Sequence, residues 1–113
     1  MKKLFQWLAR YLKSLQRENA SPYTIKNYGT DIRQFLDYCV EQDLQRLEDI
    51  TRDFVRQYMA ELMETGYARA SIARRVFELR AFGDYLLQKN AWEQNLFRRI
   101  HAPRVRKRLP RYL

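Results

Sequence analysis

The sequence predicts an all-α domain, and three observations carry that expectation. Only three glycines and three prolines interrupt 113 residues, which leaves long stretches free of helix breakers. Apolar residues in those stretches recur at helical rather than alternating spacing. Hydrophobic residues make up 46% of the chain and aromatic residues 14%, which suffices for one domain to bury one core despite its many charges. Four or five helices fit.

The first helix opens the chain. Leu4, Leu8, Tyr11, Leu12 and Leu15 recur at helical spacing, with Lys3, Arg10, Lys13 and Arg17 between them, and the pattern ends near Glu18. Such a basic face suits solvent first, and DNA or a membrane surface second.

"ASPYTIKNY" marks the start of a second helix, because Ser21 can cap free amides and Pro22 loses nothing at the first helical position. Ile25, Tyr28, Ile32, Phe35, Leu36 and Cys39 form its apolar stripe, while Lys26, Asn27, Thr30, Gln34 and Asp37 face the other way. Gly29 weakens the first half by up to about 1 kcal/mol relative to alanine, so packing has to hold that turn.

"DLQRLED" reads as a connector whose Leu44, Leu47 and Ile50 plug the core. Thr51 then caps a third helix with Asp53 in its first turn. Val55, Tyr58, Met59 and Leu62 form its buried side, Met63 joins Met59 as gap-filling core, and Gly66 closes it in a left-handed cap.

The fourth helix is "ASIARRVFELRAFGDYLLQKN", with Ala70 or Ser71 near its cap. Ile72, Val76, Leu79, Phe82, Gly83 and Leu86 share a side, and Gly83 there admits close approach by another helix. Arg74 points away from that side and Arg75 lies on its margin. Arg80 falls on the flank of the apolar face, where it must snorkel, pair with a carboxylate or reach a ligand oxygen.

Charge is unevenly placed. Residues 1 to 66 hold ten Lys/Arg and ten Asp/Glu, whereas residues 67 to 113 hold twelve and three, so the whole formal charge of +9 lies in the last part. An arginine-rich excess favours phosphate, because a guanidinium can grip two oxygens at once. A membrane surface and an acidic protein are the other partners such charge fits. Around the start of the fourth helix, Arg69, Ser71, Arg74 and Arg75 stand where free amides and the positive end of the helix dipole also favour a phosphate. The closing "RVRKRLPRYL" adds five cations and no carboxylate.

Covalent chemistry finds no support. There is no glycine-rich phosphate loop, no Cys/His spacing for a metal, and His101 is the lone histidine, so neither catalytic residues nor cofactors are expected. Cys39, the single cysteine, lies on an apolar stripe, excludes an intrachain disulfide and fits a reducing compartment. No run approaches the roughly 18 apolar residues of a membrane span, and no secretory cleavage pattern follows the first residues. A soluble, cytoplasmic protein is expected.

At this point "SPYTIKNYGTDIRQFLDY", "LEDITRDFVRQYMAEL", "GYARASIARRVFELRAFGDYLL" and "APRVRKRLPRYL" resemble the successive blocks of the N-terminal core-binding, SAM-like domain of Xer-type tyrosine recombinases and phage integrases. The resemblance implies an orthogonal bundle of four main helices over residues 1–102, followed by a basic linker, 103–113, toward an absent catalytic domain. It implies that the fragment is not itself an enzyme. The full-length protein would exchange DNA strands through a phosphotyrosine intermediate without a metal, as a tetramer on paired half-sites, while the isolated domain would be a monomer.

The partner implied is double-stranded DNA. Thr24, Lys26 and Asn27 on the second helix, and Arg69, Ser71, Arg74 and Arg75 on the fourth, would face the major groove. Arg80 matches a family arginine serving as a phosphate contact or an anchor near one, and Arg104, Arg106, Lys107 and Arg108 would lie in the linker. Tyr112 belongs to the linker pattern and is not the nucleophile. The sequence departs from the family pattern at Gly29 and Thr30, where arginines are common. Further departures are Gly83, usually an aromatic, and Asn95-Leu96, usually Asn-Pro. Two rivals share the basic surface: a non-catalytic helix-turn-helix regulator and a stand-alone protein-interaction module.

Overall fold

The computed structural model describes residues 2–101. The expected boundary after residue 102 and the cations Arg104, Arg106, Lys107 and Arg108 lie outside them. Among the described residues there are four α-helices and no strand: α1 (Lys2–Arg17), α2 (Pro22–Glu41), α3 (Arg52–Glu64) and α4 (Arg69–Gln88), with a short 3-10 turn at Leu47–Asp49. The all-α expectation is met.

Two helix starts follow the side-chain caps read from the sequence. Ser21 Oγ accepts from the amide of Thr24 at 3.1 Å, and Thr51 Oγ1 accepts from that of Phe54 at 3.1 Å. The third differs. Ala68 is the N-cap of α4 and brings no capping side chain, so the helix begins before the expected Ala70 or Ser71, and the Ser71 hydroxyl is turned to Arg75 instead.

Each helix is followed by a residue in the left-handed region: Asn19, Asp43, Gly66 and Asn90, at φ of 63°, 61°, 84° and 59°. After α1, α2 and α4 the next amide closes the turn, Ala20 onto the Leu15 carbonyl at 3.0 Å, Leu44 onto Cys39 at 2.8 Å and Ala91 onto Leu86 at 2.9 Å. These bonds satisfy carbonyls that the helix ends leave free.

Helix α1 packs on α2 and reaches α4. A Cβ on Gly29 would stand 3.2 Å from Leu12 Cδ1, so the glycine that weakens α2 locally is also what lets α1 settle against it. Tyr11 carries that contact to α4, with ring centroids 5.5 Å from Phe82 and 5.0 Å from Tyr85. Phe35 of α2 is the centre of the opposite half, edge-on to Tyr58 at 5.0 Å and to Phe97 at 5.2 Å. Cys39 is fully buried, and burial pushes its thiol up to about 12, the behaviour of a small core residue.

Met63 departs from expectation, being 54% exposed where Val55, Tyr58, Met59 and Leu62 are buried. Met59 already stands at the rim of that buried arc, and four residues along a helix turn the side chain about 40° further, past the rim.

What approaches Gly83 is not another helix. A Cβ there would overlap the carboxamide of Asn95. Asn95 donates to the Arg80 carbonyl at 3.0 Å and to Asp84 Oδ1 at 2.9 Å, and its oxygen accepts from the Phe97 amide at 3.0 Å. The chain after α4 is thereby pinned along it, with Trp92 and Phe97 buried and the Trp92 indole donating to the Leu47 carbonyl at 3.2 Å. No helix of the described residues is long and apolar enough to cross a membrane.

Candidate nucleic-acid interface

Helices α2 and α4 meet around four charged side chains, three of them buried and one half-exposed. Asp31 of α2 is 4% exposed, and Glu78 and Arg75 of α4 are 1% and 8% exposed. Arg74, half-exposed, places Nε 3.1 Å from Asp31 Oδ2 and 3.4 Å from Glu78 Oε1. Arg75 is more fully enclosed. Its Nε donates to Gln34 Oε1 at 2.9 Å, Nη1 to the Ser71 carbonyl at 3.3 Å and to Ser71 Oγ, and Nη2 lies 3.7 Å from Asp31 Oδ1. The guanidinium also stacks 4.3 Å over the ring of Tyr67, whose hydroxyl accepts from Gln34 Nε2 at 3.1 Å.

The cluster's charge follows from Glu78. Burial, then the hydrogen bond with Asp31 and its negative charge, raise the Glu78 carboxyl from 4.5 to about 8, against the opposing pull of Arg74 and Arg75. Its Oε2 is buried without a partner. Near neutral pH the protonated form of Glu78 is therefore favoured, so this carboxyl offsets little of the charge of the two guanidinium groups beside it. The site stays cationic although two carboxyl groups are built into it.

Two expectations for this helix are corrected here. Arg74 does not simply point away, since its Nε is drawn to the buried carboxyl groups, while its two terminal nitrogens have no protein partner among the described residues. Arg75 is not marginal but buried, with Nε and Nη1 hydrogen-bonded and Nη2 in a charge pair with Asp31. Asp31, reached across the helix pair, is what draws both inward.

The remaining residues named from sequence separate into groups. Thr24 sits in the first turn of α2, its Oγ1 accepting from Ser21 Oγ at 3.0 Å. Lys26 is exposed and Asn27 half-buried on the next turn, and Arg69 is exposed at the first position of α4. Arg80 is not gathered into the cluster. Its Nε donates to the Phe97 carbonyl at 3.4 Å and its Nη2 to that of Ile100, which makes it a tether for the segment leaving α4. The four linker cations fall outside the described residues.

Asp31, Glu78 and Tyr67 were not singled out from sequence, and Gln34, expected to face away from the apolar stripe, bonds Arg75 and Tyr67 instead. A signal existed for Asp31 and Glu78. Asp31 has the helical phase of Tyr28 and Phe35, and Glu78 follows Arg74 and Arg75 by four and three residues. A carboxylate in phase with an apolar stripe needs a partner, yet which helix supplies it is not written in local spacing.

Fold and surface together define a small helical domain with a cationic side stiffened from within by buried carboxyl groups. Residues 8–90 match the phage integrase N-terminal SAM-like domain, and the chain belongs to that family. It is 36% identical over 109 residues to the tyrosine recombinase XerC of Halalkalibacterium halodurans, covering 96% of this chain and 36% of that protein. It is 30% identical over 114 residues to XerC of Bacillus subtilis, covering all of this chain and 38% of that one. Against the tyrosine recombinase XerD of Halalkalibacterium halodurans the identity is 33% over 91 residues, 80% of this chain and 30% of the relative. The chain thus spans about a third of the length of the curated relatives it matches. No solved structure matched it.

Proposed function

We propose that this chain is the DNA-gripping domain of a tyrosine recombinase, laying the first turns of α2 and α4 against duplex DNA. Strand exchange would be the work of the further length that its relatives possess. One observation carries the reading. The Arg74 side chain is held at Nε by buried carboxyl groups, is half-exposed and has no protein partner at either terminal nitrogen among the described residues, which leaves a fork for phosphate oxygens or a guanine edge.

The proposed roles divide accordingly. Arg74, Arg69 and Lys26 touch DNA directly, and Thr24 and Asn27 lie beside them on the face of α2. Arg75 and Ser71 hold the start of α4 in place, and Arg80 tethers the segment at Phe97 and Ile100, ahead in sequence of the cationic run at Arg104, Arg106, Lys107 and Arg108. That run adds phosphate attraction independent of base sequence. In the whole protein, a tetramer on paired half-sites follows from the same reading.

Selection of bound duplexes from a randomised library at two salt concentrations tests it. A recurring motif that Arg74→Ala weakens supports base-reading through α4. Uniform retention that collapses with salt in the same way for both proteins would reduce the surface to a polyanion binder and refute the proposal.

A further inference from the structure

The outer face of α4 carries a feature that cation chemistry leaves unexplained. Phe77 is 65% exposed in the middle of the helix, one turn beyond Arg74. Ala70, Ala73 and Arg74 share its stripe, so two short side chains leave the helix surface low on the N-terminal side of a projecting ring. Past Phe77 the character changes. Arg80 turns to the carbonyls of Phe97 and Ile100, and Asp84 presents an exposed carboxylate.

Exposed large hydrophobic side chains are few among the described residues: Tyr23, Met63, Tyr67 and Phe77. Tyr23 lies in the first turn of α2, and Tyr67 stacks under Arg75 just before α4. Three of the four thus sit on or beside the two helices that form the cationic face. A single exposed apolar residue needs no explanation, but a phenylalanine between a free guanidinium fork and an acidic boundary has a narrow range of partners. The charge of an acidic protein surface would satisfy Arg74 and Arg69 but does not of itself supply an apolar seat for the ring. The major groove satisfies both, since phosphates and guanine edges accept from arginine while the thymine methyl is the one apolar group on a base edge.

We infer that Phe77 is a specificity-determining residue that packs on a thymine methyl group in the major groove. This rests on the DNA-gripping reading above and deepens it. Three residues of helix advance about 4.5 Å, against roughly 3.4 Å between successive bases of one strand. The thymine therefore lies one or two base pairs from the position that Arg74 contacts.

The test uses the 113-residue chain and the best duplex recovered from the randomised library, with each thymine near the Arg74-sensitive position replaced in turn by deoxyuridine. That change deletes the methyl group and keeps every hydrogen bond. Wild type should lose about fourfold in affinity at one such position, the ratio corresponding to ~0.8 kcal/mol for one buried methyl. Phe77→Ala should bind the thymine duplex more weakly and be indifferent to the replacement, while Phe77→Leu should keep part of the discrimination. Phe77 is exposed, so these variants leave the fold intact, and matching circular dichroism melts verify it.

Wild type indifferent to every replacement, or Phe77→Ala retaining the fourfold loss, overturns the inference while leaving the DNA-gripping reading standing. A change in self-association by Phe77→Ala with unaltered DNA affinity also overturns it, assigning the ring to a protein contact. Failure of wild type to bind any duplex at low salt instead defeats the DNA-gripping reading itself.

Discussion

Glu78→Gln gives the sharpest view of the buried cluster. In the folded chain Glu78 is held up at about 8 by burial and by Asp31, from an ordinary 4.5. Between those values the folded protein keeps a proton that the unfolded chain has released, so stability is full below about pH 4.5 and falls as pH rises toward 8. One proton of difference gives a slope of about 1.4 kcal/mol per pH unit. From pH 5.5 to 7.0 the wild type should therefore lose on the order of 2 kcal/mol through this group. With a urea m-value of ~1.5 kcal/mol per molar, the unfolding midpoint would move by roughly 1.3 M.

Glutamine keeps the shape and stays neutral, which removes the titration. Urea unfolding of both proteins across this range should show the advantage of Glu78→Gln over wild type growing by about 2 kcal/mol between pH 5.5 and pH 7.0. Taking the difference cancels the titrating groups that do not touch Glu78. Parallel pH profiles for the two proteins would refute the reasoning, since Glu78 would then ionise alike in both states.

Further expectations concern the same elements. Arg75→Ala removes the guanidinium packed between Asp31, Gln34, Ser71 and Tyr67, and calorimetry should show a loss of about 3 kcal/mol, as for breaking a buried ion pair. Arg74→Ala should leave more of the stability and instead weaken DNA binding, lowering the slope of log K against log salt by about 0.9 in a titration series. Gly83→Ala would expel the Asn95 carboxamide, costing about 1–3 kcal/mol by overpacking, with faster amide exchange after α4 as its signature. Arg80→Ala releases the carbonyls of Phe97 and Ile100, and hydrogen exchange should rise at residues 97–100 while α1 to α3 keep their protection.

Periodicity made the helices and most of their buried faces legible, because a stripe such as Val55, Tyr58, Met59 and Leu62 has one way to meet a core. The side-chain caps at Ser21 and Thr51 were legible for the same local reason. Helix exits were less so. Gly66 announces a left-handed turn, whereas Asn19, Asp43 and Asn90 do the same job with side chains common everywhere in loops. Met63 was misplaced because a repeat of four residues drifts off a narrow buried arc.

The site was legible only as a set of arginines at the start of α4. Which of them is free depends on Asp31, 43 residues from Arg74 in sequence, and such cross-helix pairing leaves no trace in spacing along one helix. Arg80 shows the same limit, since carbonyls some 17 and 20 residues away occupy it. The SAM-like resemblance supplied the architecture that periodicity alone could not, and the family match over residues 8–90 bears it out.

The most direct test of the central claim is a titration of the isotope-labelled chain with duplex DNA, followed by amide chemical shifts residue by residue. Contact through the cationic face predicts shifts concentrated at residues 23–34 of α2 and 67–77 at the start of α4, reduced in Arg74→Ala. Shifts confined to α3, or spread evenly and abolished by modest salt, would contradict it.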